Sequence, residues 1–206
     1  MTEYSFSLAE EADLVFRYEG EILGRFAYWT DAVIHFSFYN AWYPVFSTVK
    51  GCYEVEMALP EGWYPVNGIY DEDRGLWIFR PGETMPGFTD CNILLLKKSH
   101  YTVLEQGSVS FCFLSAWRDR IEPYFDLYRS VKDYYLSLYG QDRLGKNAFV
   151  YLPENEDWPG DGYRRANLIV STALPDHWAA QSHLMAHEMG HAYANGADPS
   201  GPVRVG

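Results

Sequence analysis

The stretch Leu184-Met185-Ala186-His187-Glu188-Met189-Gly190-His191-Ala192-Tyr193-Ala194 decides how the second half of this chain is read. His187 and His191 are four positions apart, so on an α-helix they lie about one turn apart and both imidazoles leave the same face. Glu188 sits about 60° around the axis from His191, within reach of a water between the imidazoles but off the line of the ligands themselves. Two neutral imidazoles at H-E-x-x-H spacing form a zinc-binding pair, and the carboxylate beside them can take a proton from water as general base. His187 and His191 are therefore the candidate metal ligands, and Glu188 the candidate catalytic residue.

The flanks favour a helix. Pro175-Asp176 offers an N-cap, Asn195-Gly196 offers a C-terminal stop, and good helix formers (Ala, Gln, Leu, Met) dominate between them. His183 extends the histidine series by one more turn, but it stands about 12 Å along the axis from His191, too far to share one ion. It reads as a solvated or pocket-lining side chain, and His177, in the first turn, as a surface one. A zinc site of this kind needs a third protein ligand, yet the fifteen residues after His191 contain no Glu, His or Cys. In the longer motif H-E-x-x-H-x-x-G-x-x-H the glycine and third ligand would occupy positions 194 and 197, both alanine here. Asp198 misses that register by one residue and reads as a loop carboxylate.

Upstream of the metal helix, apolar residues recur at helical spacing from Arg118 to about Tyr139, at Ile121, Tyr124, Phe125, Tyr128, Val131, Tyr135 and Leu138, and Gly140 ends the run. Ala148 to Leu152 and Asn167 to Ser171 read as strands, separated by an acidic loop from Pro153 to Gly162. The first half is strand-like throughout. Tyr53, Val55, Met57 and Leu59 alternate with Glu54 and Glu56; Ile34, Phe36 and Phe38 repeat the period around His35 and Ser37; Leu14, Phe16 and Tyr18 do so earlier. Leu76–Phe79, Ile93–Leu96 and Val109–Leu114 are further β-prone runs, with turns at Pro60-Glu61-Gly62 and Pro81-Gly82. His35 and His100 read as ordinary strand and loop histidines. These short strands predict an antiparallel sandwich or saddle-shaped sheet up to about residue 115, with a boundary near 114–119.

With 206 residues the chain can bury a substantial core, as one large domain or two modest ones. A formal charge of −12 argues against a nucleic-acid or anionic-membrane partner, both of which need basic patches. The three cysteines, Cys52, Cys91 and Cys112, are too scattered for a disulfide framework and read as buried thiols. Met1-Thr2-Glu3-Tyr4-Ser5 has no basic or apolar leader pattern, and no run has the length of a membrane-spanning segment, which predicts a cytoplasmic protein.

A β-rich first part, a long helix, two strands and then an H-E-x-x-H helix resemble the gluzincin metallopeptidases, and more narrowly the M1-type aminopeptidase group. The order of elements carries this likeness across most of the chain, while the matching residues lie within 184–196. The resemblance implies an α+β chain: an antiparallel β-sandwich or saddle domain over 1–116, then an incomplete thermolysin-like zincin α/β lobe over 117–206. It also implies a zinc cofactor on His187 and His191, with Glu188 activating water to hydrolyse a peptide substrate. The family's third ligand, a glutamate on a following helix, and its downstream oxyanion-stabilising side chain have no counterpart after residue 191. The chain is accordingly expected to be the N-terminal portion of a larger peptidase. Where the aminopeptidases carry G-x-M-E-N, this chain has Gly162-Tyr163-Arg164-Arg165-Ala166-Asn167, without the glutamate that holds a free amine.

Two rival readings remain. In a deformylase-like amide hydrolase the third ligand would be an upstream cysteine, Cys91 or Cys112, although Gly190 stands where those enzymes place an acidic residue. In a non-catalytic protein the zincin lobe would be degenerate or cut and the aromatic β-domain would hold a peptide, glycan or partner chain, although the 17 Tyr and 7 Trp read more simply as fillers of the inner faces of the sheets.

Overall fold

The computed structural model describes residues 28–40, 42–43, 54–79, 92–153, 162–165, 167–172 and 176–194. The expected strand at Leu14–Tyr18, the Pro81-Gly82 turn, Cys52, Cys91, Asn195-Gly196 and Asp198 lie outside these residues, as does most of the Pro153–Gly162 loop. The described elements are, in order, β1 (Tyr28–Trp29), β2 (Val33–Phe36), β3 (Val55–Met57), β4 (Trp63–Pro65), β5 (Ile69–Asp71) and β6 (Leu76–Phe79). Then come β7 (Ile93–Lys97), β8 (Tyr101–Gln106), β9 (Val109–Leu114), α1 (Arg118–Tyr139), β10 (Asn147–Tyr151), β11 (Gly162–Arg165), β12 (Leu168–Ser171) and α2 (Trp178–Ala194). Among the described residues the fold is mixed α+β, with mostly antiparallel pairing and two α-helices. No described helix is long and apolar enough to cross a membrane.

The uninterrupted apolar run of β7 has a structural reason: both of its faces are covered. Ile93 and Leu95 pack with Val55, Met57, Leu59 and Phe79, which belong to the three-stranded antiparallel sheet β3-β6-β5 and its edge. Leu94 and Leu96 point the other way, against Tyr101, Cys112, Val150 and Val170 of a five-stranded sheet. β7 itself is central in the four-stranded antiparallel sheet β1-β2-β7-β4. Three sheets are thus stacked in sequence, and the alternation at β3 behaves as expected: Val55, Met57 and Leu59 face inward while Glu54 and Glu56 are exposed.

β2 departs from its sequence reading. His35 and Ser37 are buried, while Ile34 and Phe36 are only half-buried. Alternation identifies two faces, but a strand held between two layers has no solvent face, so the period alone cannot rank their depth.

The five-stranded sheet has the order β11-β12-β10-β9-β8. β8 and β9 form an antiparallel hairpin, β9 and β10 are parallel, β10 and β12 are parallel, and β11 runs antiparallel to β12 at the edge. Parallel strands need a long crossover, and α1 supplies the one between β9 and β10. β8 and β9, from the N-terminal side of the division expected at 114–119, therefore belong to the same sheet as β10–β12.

Both helices cover the far face of this sheet. Ile121, Tyr124 and Tyr128 of α1 and Met185, Met189 and Tyr193 of α2 pack on Phe111, Phe113, Phe149, Tyr151 and Ile169. Met185 and Met189 are fully buried, each worth about 1.5–3 kcal/mol. The span of α1 is the one its periodicity predicts, and Gly140 closes it with a left-handed φ of 71° while its N–H bonds to the Leu136 carbonyl. Leu138, expected on the apolar stripe, is exposed. The last turn of α1 packs instead through Tyr135 and Tyr139, whose rings stack on Tyr193 with centroids 4.8 and 5.2 Å away.

Candidate metal centre

The buried stripe of α2 runs through Gln181, Met185, Glu188, Met189 and Tyr193. Glu188 thus lies at the margin of the core, while His187 and His191, further around the helix, reach outward: His187 is exposed and His191 partly so. One ligand atom from each of His187, Glu188 and His191 falls within 4.8 Å of the others. The two imidazole rings lie 4.8 Å apart, centroid to centroid, at 87° to one another, and Glu188 Oε2 is 3.9 Å from His191 Nε2. Among the described residues this is the one group of three His, Cys, Asp or Glu side chains placed to share a metal ion.

Several contacts fix this helix in place. Ser171 Oγ donates to Gln181 Oε1 at 3.1 Å, tying the end of β12 to the start of α2 within the core. The helix begins at Trp178 rather than directly after Asp176, and the His177 carbonyl accepts from Gln181 N–H. Asp176 pairs with Arg120 of α1 at 3.2 Å. At the other end Arg143 Nη1 donates to the Tyr193 carbonyl at 3.1 Å, a favourable use of a cation at a helix C-terminus. Gly162 brings the edge strand close, since a Cβ there would stand 2.8 Å from Leu184 and 2.7 Å from the Val170 carbonyl.

The electrostatics follow from that packing. Burial raises the Glu188 carboxyl above its ordinary range, and the charges of His187 and Arg165, the backbone N–H of Arg164 and the Arg164 charge offset part of the effect. Burial lowers His191, and the neighbouring His187, Arg165 and Arg164 lower it further. His191 is therefore neutral at pH 7, the form that donates a lone pair to a metal. Two imidazoles with an adjacent carboxylate are groups that could hold a metal ion.

The three residues singled out from the spacing are thus brought together on one flank of α2. His183 is exposed, its ring 6.1 Å from that of His187, and His177 and His100 are exposed as well. Cys112 is fully buried on the side of the five-stranded sheet opposite the helices. That position rules it out as a ligand of this centre, which corrects one of the cysteines considered for the deformylase-like reading. His35 is more than an ordinary strand histidine: its Nε2 lies 2.5 Å from the buried Tyr163 hydroxyl, and the two rings are stacked. Arg164 and Arg165, quoted above only for the glutamate their stretch lacks, act on the centre because β11 pairs with β12 beside α2, a relationship that spacing does not reveal. Comparison with known proteins returned no matching family model and no matching curated protein.

Proposed function

We propose that this chain carries a zinc-dependent hydrolase centre of the gluzincin metallopeptidase type, with His187 and His191 as metal ligands, Glu188 as general base and a peptide as substrate. The observation that supports it is the convergence of the three donor atoms within 4.8 Å on one accessible helix flank. The sheet and helix order of residues 101–194 is compatible with an incomplete zincin lobe. Zinc held there would supply Lewis acidity for a substrate carbonyl and for water.

The chain's own groups divide the remaining work. His187 and His191 bind as neutral imidazoles. Burial raises the Glu188 carboxyl, which makes its carboxylate a stronger base than an exposed one. It takes a proton from the attacking water as the C–O bond forms, then returns it to the departing amine as the C–N bond breaks. The Arg164 N–H holds that carboxylate in position from the edge strand.

The test is hydrolysis of a mixed peptide library by the zinc-loaded chain, followed by mass spectrometry, with chelator-treated and His187→Ala controls. Zinc-dependent cleavage lost in His187→Ala supports the assignment. Stoichiometric zinc without cleavage of any peptide would favour a binding role for the centre.

A further inference from the structure

Arg164 of β11 stands opposite Ile169 of β12, and Tyr163 opposite Val170. Residues directly opposite in an antiparallel pair project to the same side of the sheet. Ile169 packs among the helices and Val170 among the residues of the other face, so Arg164 belongs to the helix side and Arg165 to the far side. Gly162, two residues before Arg164, shares the helix side and lies against Leu184, one turn ahead of Glu188 on α2. The Arg164 N–H reaches the Glu188 carboxylate itself. The backbone of Arg164 is therefore held against the Glu188 carboxylate, and its side chain leaves the sheet on the side of α2.

Arg165 Nη1 donates to the Arg164 carbonyl at 2.9 Å, and both arginines act electrostatically on Glu188 and His191, Arg165 the more strongly. A chain of net charge −12 thus places two positive charges beside its candidate centre. The same strand lacks the glutamate that would favour an amine.

We propose that Arg164 binds a substrate carboxylate, so that the centre selects peptides with an acidic side chain or a free C-terminus next to the bond that is cut. This rests on the hydrolase reading above. A guanidinium has five N–H donors in a rigid fork, enough to take a carboxylate while keeping an intramolecular partner.

The experiment titrates the zinc-loaded chain with three peptides and measures binding by calorimetry and cleavage in the same samples. One peptide is blocked at both ends and contains Glu; the second is its Gln isostere; the third is the Gln peptide with a free C-terminus. The expected result is that a carboxylate-bearing peptide binds about tenfold or more tightly than the blocked Gln peptide, as a charge-assisted hydrogen bond implies. Which of the two does so identifies the source of the carboxylate. Arg164→Gln should abolish the advantage. Arg164→Lys, which keeps the charge but not the fork, should keep part of it and carries the test if Arg164→Gln is unstable. Equal binding of all three peptides, or binding of none, overturns the proposal. Cleavage without preference overturns it while leaving the hydrolase reading in place; preference without cleavage supports it and counts against that reading.

Discussion

The hydroxyl of Tyr135 on α1 donates to the Ala186 carbonyl on α2 at 2.9 Å, and Gly190 is the residue that leaves room for it. Ala186 is one turn before Gly190, so the tyrosine lies across the backbone of the metal helix inside the H-E-x-x-H motif. A Cβ at position 190 would stand 2.7 Å from that hydroxyl. One of the two unspecified positions of the motif is thus set by helix packing.

Gly190→Ala should therefore lower stability by about 1–3 kcal/mol despite the better helix propensity of alanine. Combining it with Tyr135→Phe, which removes the clashing oxygen, should restore much of the loss. Urea unfolding of both variants checks this; an unchanged single variant would mean the helices do not approach as described.

Glu188→Gln separates metal binding from chemistry. Removing the base should reduce hydrolysis about 10²–10⁴-fold while zinc stays bound, whereas His187→Ala should release the metal. Retained turnover in Glu188→Gln would remove the general-base assignment.

The same substitution should affect the metal-free chain in a pH-dependent way. The folded Glu188 carboxyl titrates above its ordinary value of 4.5 because it is buried. Its favourable, protonated state is complete below that value and is lost as pH rises through the folded value. Glu188→Gln should therefore raise the unfolding temperature of chelated protein at pH 7, with the gain disappearing below about pH 4.

Asp142 provides the opposite sign. Burial would raise its carboxyl, but Lys132 at 2.7 Å and the N–H groups of Leu144 and Gly145 outweigh that and hold it below its ordinary value of 3.8. The ionised group stabilises the fold above that value, and its contribution is lost as pH falls through the folded one. Asp142→Asn should be less stable than the parent at pH 7, and the two should converge as the medium is acidified below the ordinary value of 3.8 and through the folded one. A constant difference across this range would disconnect Asp142 from acid sensitivity.

Much of this architecture can be read locally. The apolar stripe from Ile121 to Tyr135 and the Gly140 stop define α1, the alternation at Val55–Leu59 defines β3, and the spacing of His187, Glu188 and His191 defines the centre. What escapes is long-range. Nothing near Val109–Leu114 announces that β9 will pair in parallel with β10, on the far side of a 22-residue helix. His35 meets Tyr163 across 128 positions, and Arg164 reaches Glu188 through the register of β11. Such contacts follow from topology, to which local periodicity is blind.

The most direct test of the central claim is zinc per chain by elemental analysis after exhaustive dialysis, with His187→Ala and His191→Ala alongside. The account predicts zinc on the parent chain and loss of that zinc in both variants. Absence of zinc from the parent chain, or zinc that persists when either histidine is removed, would contradict it.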